Sequence, residues 1–130
     1  MAKGLLFLVF MTIFATSAQK KYAKSYYPTG TIQAEGWMSH NDKVDYWYFY
    51  YDNGNKKQEG HFEDNKKCKW WLFYDSNEVI TRKTEYQNDL QNGISILYKD
   101  GNIVKAEKYK MGVKTNEWTS LSAYRNDKNK

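Results

Sequence analysis

The chain has 130 residues, a length that favours one domain, and 41% apolar residues with a single proline exclude a disordered or collagen-like polypeptide. Its formal charge of +5 comes from lysines scattered along the chain, which describes a solvated surface and argues against nucleic acid as a partner. The one cysteine, Cys68, rules out an internal disulfide, so stability must come from packing, and Cys68 reads as a small apolar filler.

In chain order, Met1-Ala2-Lys3 is a short positive segment, Gly4–Phe14 is almost entirely apolar, and Ala15-Thr16-Ser17-Ala18 supplies small residues. This three-part pattern predicts a signal peptide over residues 1–18 with cleavage before Gln19. An apolar run of about eleven residues falls short of the roughly 20 needed to span a bilayer as a helix. The expectation is therefore an exported protein: periplasmic, outer-membrane-associated or extracellular. The mature chain would carry no transmembrane segment.

Beyond Gln19 the chain repeats itself. Tyr27-Pro28-Thr29-Gly30, Tyr51-Asp52-Asn53-Gly54, Tyr74-Asp75-Ser76-Asn77 and Tyr98-Lys99-Asp100-Gly101 align at a nearly constant spacing. The third tetrad comes one residue early. Trp47, Trp70 and Ile94 each stand seven residues before a turn position (Gly54, Asn77, Gly101), and Trp118 takes that place in the last unit. Turn tetrads of this kind between aromatic runs are hairpin signals, because Gly or Asn takes the required positive φ at low cost. On this alignment Asn77 replaces the turn glycine of the third unit. Period-two alternation places Trp47, Phe49 and Tyr51 on one face, with Trp70, Leu72, Tyr74, Ile94, Ile96 and Tyr98 at equivalent places. Tyr50, Phe73, Leu97 and Leu121 form a column on the other. Gly36 and Gly60 relieve crowding beneath Trp47 and Trp70. No stretch shows helical periodicity, and Arg125–Lys130 reads as a charged tail. The predicted fold is all-β: an elongated antiparallel meander of about nine strands in four stacked hairpin units over residues 19–124. A sheet that wide must twist, and curling would let its aromatic face close on itself.

No residue pattern in the sequence carries recognisable catalytic chemistry. His40 and His61 belong to no ligand cluster. Glu35 and Glu59 recur as part of the repeat, each able to pair with a lysine across the sheet. No glycine cluster precedes a helix, and no nucleophile elbow is present. Hence no catalytic, cofactor-binding or metal-binding residue is assigned, and the protein reads as a non-enzyme without cofactor. The aromatic surplus, 12 Tyr, 5 Trp and 6 Phe, is mostly repeat core. What the repeat does not require is a candidate interaction surface of Tyr46, Tyr48, Lys57 and Trp71, with Trp37 and Tyr124 as further exposed aromatics.

The units Trp47-Tyr48-Phe49-Tyr50, Tyr50-Tyr51-Asp52-Asn53-Gly54 and Glu59-Gly60-His61-Phe62 resemble MORN repeats, most of all the variant form of bacterial, antitoxin-like repeat proteins. The resemblance covers about Tyr26–Tyr124, and the third unit departs from it in lacking the turn glycine and the tryptophan. It implies β-hairpins stacked side by side and a role as a protein-interaction scaffold; phospholipid binding has been proposed for some relatives. The leading expectation is a protein-interaction module at the cell envelope. Two others stand beside it: a surface module for anionic lipid or envelope glycan using Lys56, Lys57, Lys66 and Lys67 with Trp71, and an antitoxin-like partner of an exported toxin.

Overall fold

A computed structural model describes residues 19–130; the segment read as a signal peptide, residues 1–18, lies outside the described residues. Nine strands follow one another: β1 (Lys21–Tyr26), β2 (Ile32–Ser39), β3 (Asp42–Tyr50), β4 (Lys56–Glu63), β5 (Lys66–Tyr74), β6 (Ile80–Gln87), β7 (Leu90–Lys99), β8 (Asn102–Lys110) and β9 (Val113–Trp118). Each pairs antiparallel with the next in one sheet ordered β1 to β9. The sheet does not close, for β1 and β9 stand at its two ends.

Two turn types alternate from β1 to β7. One edge carries two-residue turns with positive φ at both residues: His40-Asn41, Asp64-Asn65, Asn88-Asp89 and Met111-Gly112. Their twist matches that of the flanking strands, and Asn and Asp tolerate the left-handed region. The same residues tie neighbouring hairpins together. Asn65 donates its N–H to the Lys43 carbonyl (2.9 Å) and accepts from the Lys43 N–H; Asp89 does both to Lys67, at 3.1 and 2.7 Å. The other edge has three longer turns, in which the N–H of Tyr27, Tyr51 or Asp75 reaches the carbonyl of Thr31, Asn55 or Val79, and one two-residue turn, Asp100-Gly101, again with positive φ at both residues. The left-handed residues of the longer turns are Gly30, Gly54 and Glu78.

These turns correct the phase of the repeat. The third unit's turn residue is Glu78, not Asn77, so Gly30, Gly54 and Glu78 are evenly spaced, and the turn that is one residue short is the fourth, Asp100-Gly101. The recurring tyrosines are Tyr26, Tyr50, Tyr74 and Tyr98, each at or beside a strand end. The residue equivalent to Trp47 is then Trp71, not Trp70. One cross-sheet row makes the point: Ala23, Gly36, Trp47, Gly60, Trp71, Thr84, Ser95, Glu107 and Glu117 are successive partners and share a face, called here the front. The back-face row is Lys24, Glu35, Tyr48, Glu59, Leu72, Lys83, Ile96, Ala106 and Trp118.

On the front, tryptophan alternates with glycine because the two fill one space. The Trp47 ring occupies the position of a β-carbon on Gly36, and the Trp71 ring that of one on Gly60. Each indole lies flat on the neighbouring strand and donates Nε1–H to a carbonyl there, Trp47 to Trp37 (2.9 Å) and Trp71 to His61 (3.1 Å). Phe49, Phe62, Phe73 and Tyr86 close around them, with neighbouring ring centroids 5.0–6.5 Å apart. Trp71 is fully buried although the sheet is a single layer. In the third unit both partners change together: Thr84 and Ser95 stand where glycine and tryptophan stood, buried and hydrogen-bonded through their hydroxyls at 2.7 Å.

Past β6 the apolar side changes face. Ile96 and Trp118 lie on the back together with Ala106, contrary to the expectation that Ile96 and Trp118 continue the Trp47 column. The front there is ionic: Lys105 and Lys114 each bridge Glu107 and Glu117. A helix, α1 (Leu121–Lys128), replaces the expected charged tail. Ser120 caps it by accepting the Ala123 N–H at 3.1 Å. Asp127 Oδ2 accepts Trp118 Nε1–H at 2.9 Å, and Tyr124 meets Trp118 edge-on at 5.2 Å, which seats the helix against β9.

Candidate functional site

Three surfaces follow from this architecture. The first is the back face of the first two units. Tyr22 donates to Glu35 Oε1 at 2.6 Å, and one repeat further on Tyr46 donates to Glu59 Oε1 at 2.8 Å. Buried Glu59 also receives the Tyr74 hydroxyl (3.3 Å) and the Lys56 ammonium (2.9 Å). The carboxylates are thus held chiefly by tyrosines, not by lysines across the sheet. The hydrogen bond to Glu35 pushes Tyr22 up to about 12. Burial, and then Glu59, holds Tyr46 still higher. These phenols are fixed hydrogen-bond donors at neutral pH. Lys56 is raised by its bond to Glu59. In the third unit the pair is exchanged as a whole: Trp70 and Lys83 replace tyrosine and glutamate, with Nζ 4.7 Å from the indole centre.

The predicted surface residues separate on this framework. Tyr46 and Tyr48 lie together on the back, 5.1 Å between ring centroids, and Tyr46 also meets His61 at 4.8 Å. Tyr46 is committed to Glu59, which leaves Tyr48 the freer ring. Lys57 is exposed, the unpaired residue of a bulge between Gln58 and Lys56, 5.6 Å from the Tyr51 ring. Trp71 is on the opposite face and buried, so it belongs to the core and not to any surface. Trp70, assigned to the core, is the exposed member of that pair. Trp37 is exposed on the back, edge-on to Tyr22 at 5.2 Å. Cys68 lies half-buried opposite His61 in the register, and burial pushes its thiol up. Burial, and then Lys69, lowers His61.

The second surface is the front of β3–β6, where cations lie on the aromatic row. Lys43 Nζ is 5.4 Å from the Trp47 ring centre, Lys67 Nζ 4.7 Å from that of Trp71 and 5.2 Å from that of Tyr86, and the Arg82 guanidinium 4.3 Å from that of Phe73. Burial lowers Lys67. Lys43 and Arg82 were not singled out from the sequence. The signal available was the recurrence of Lys43 at Lys67, one repeat later.

The third is a pair of grooves, one at each end of the sheet. A front-face groove of about 430 Å³ beside β1 is lined by Ala23, Ser25, Ala34, Met38, Trp47 and Phe49, with Lys43 at its margin. A groove of about 440 Å³ under α1 is lined by Ile94, Ile96, Ala106, Trp118, Leu121 and Tyr124. Among the described residues, no three of His, Cys, Asp and Glu converge as a metal site would require. No protein-family profile and no curated protein sequence matches the chain.

Proposed function

We propose that this is an exported, non-enzymatic β-repeat module that binds another protein at the cell envelope. The observation that carries the reading is the open single-layer sheet: among the described residues only α1 packs on it, so both faces and the β1 edge face solvent. An unpaired edge strand is a template for a partner strand, and half-exposed Tyr and Trp beside lysine are the residue types of protein interfaces. Stacked short hairpins are also what the resemblance to MORN repeats implies. Export rests on the pattern of residues 1–18. The test is a photo-crosslinking aromatic residue placed at Tyr48, and separately at Ser25, in envelope fractions of an expressing cell. A discrete crosslinked protein from either position is expected. Its absence from both would overturn the reading.

The lysine–aromatic row favours a second reading, a surface for anionic lipid or glycan. It centres on Lys43, Lys67 and Arg82, since Lys56 is engaged by Glu59 and Trp71 lies beneath Lys67. Co-sedimentation with anionic vesicles that disappears at high salt supports it. No binding at low salt removes it.

A further inference from the structure

The groove beside β1 has a cause in the repeat. Counting back one repeat from Trp47 and Phe49 reaches Ala23 and Ser25. Inside the sheet, Trp71 has the Phe49 ring at 6.1 Å and the Phe62 ring at 5.0 Å. At the β1 end the corresponding neighbours of Trp47 are Ser25 and Met38. The aromatic row therefore ends at Trp47 and Phe49, with a serine and a methionine where the next two rings would stand, and the groove of about 430 Å³ lies over Ala23, Ser25 and Met38. The strand that borders it has an unpaired outer edge among the described residues. The charge is also one-sided. Residues 19–34 include Lys20, Lys21 and Lys24 and no acidic residue, and Glu35, the register partner of Lys24, is committed to the Tyr22 hydroxyl. Lys20 is paired with Asp45 at 2.6 Å, whereas Lys21 and Lys24 have no ion-pair partner among the described residues.

Resting on the reading of the protein as an interaction module, we propose that β1 is its docking edge, and that the occupant is an extended, acidic segment of a partner protein that adds as a tenth strand. One aromatic side chain of that segment enters the groove over Ala23 and Ser25, acidic residues on the same face meet Lys21, and one on the alternate face meets Lys24. Backbone pairing supplies general affinity, the aromatic pocket fixes register, and the lysines select acidic sequences. The groove under α1 does not compete for this role, because the chain's own helix already packs there against β9.

The probe is a synthetic peptide, Asp-Asp-Thr-Val-Thr-Trp-Thr-Val-Asp-Asp, added to the full chain. Three results are expected. The peptide slows hydrogen exchange at the amides of β1. Replacing its Trp by Ala weakens binding about tenfold, as loss of an interface anchor does. Ser25→Phe, which supplies one of the missing rings from within, also weakens binding about tenfold while raising the melting temperature. Should Ser25→Phe fail to fold, the Lys21→Glu/Lys24→Glu double variant serves instead, with weaker binding expected. Lys110→Ala, exposed on β8 at the far end of the sheet, leaves affinity unchanged. Binding that ignores both variants would overturn the proposal, as would no binding at all. So would outward-pointing β1 amides, those not bonded to β2, already protected without peptide, which would mean that a second copy or residues 1–18 take the edge. Any of these outcomes alongside a crosslink from Tyr48 would remove the β1 site and leave the interaction-module reading standing.

Discussion

The ring of Trp71 lies where a side chain at Gly60 would begin, so neither residue can be understood without the other. Gly60→Val should lower stability by about 1–3 kcal/mol through overpacking, and unchanged urea denaturation would refute the fit. The pair Thr84 and Ser95 shows that a second solution exists at the same two positions. It motivates a double-mutant cycle. Trp71→Ser alone should cost about 3–5 kcal/mol, the range for deleting a large buried ring. Adding Gly60→Thr should recover about 1 kcal/mol of that, the net worth of the hydroxyl–hydroxyl bond it restores. Strictly additive losses in the cycle would mean that the two sites are not coupled.

At the scale of the element, α1 depends on two polar contacts. Ser120 caps its first turn, and Asp127 binds the indole of Trp118 from its last. Eight residues are too few for a helix to persist on propensity alone, so docking must hold it. Asp127→Ala should therefore speed amide exchange over Leu121–Lys128 and change Trp118 fluorescence while β3–β6 keep their protection; intact helix protection would show that the Asp127 contact is dispensable. The sequence announced this helix poorly because a period of 3.6 cannot be recognised over two turns, and because Arg125, Asp127 and Lys128 give it the composition of a tail. The strands were legible, since alternation and turn residues recur four times over. The phase of the third unit was not. Asn77 looks like a turn residue, whereas the chain places Glu78 in the left-handed region. That single-residue offset carried Trp71 from the core to the surface in the sequence-based reading and left Trp70 in its place. The candidate surface was legible to the same extent. Tyr46 and Tyr48 are indeed neighbours, but cross-strand rows decide which rings remain free, and a sequence read in one dimension does not display those rows.

For the whole molecule, the consequence is one sheet with two cores on opposite faces. The aromatic core of β2–β6 lies on the front, and the apolar group of β7–β9 lies on the back under α1. They meet at Thr84 and Ser95, where contact across the sheet passes through a small hydroxyl pair instead of a large ring. In a linear array, stability is the sum of unit terms and nearest-neighbour terms, so a weak junction lets one end open before the other. The two halves are also unequal. The front core contains the fully buried Trp71, whereas Ile103, Val104 and Leu121 at the other end are 65%, 46% and 62% exposed. Native-state hydrogen exchange should then resolve two opening free energies, the higher for β3–β5 and the lower for β8–α1. Ser95→Ala leaves Thr84 without its partner and should lower protection from β6 onward more than in β3. One common free energy across all nine strands would show that backbone pairing alone makes the sheet cooperative and that the change of core face carries no energetic boundary.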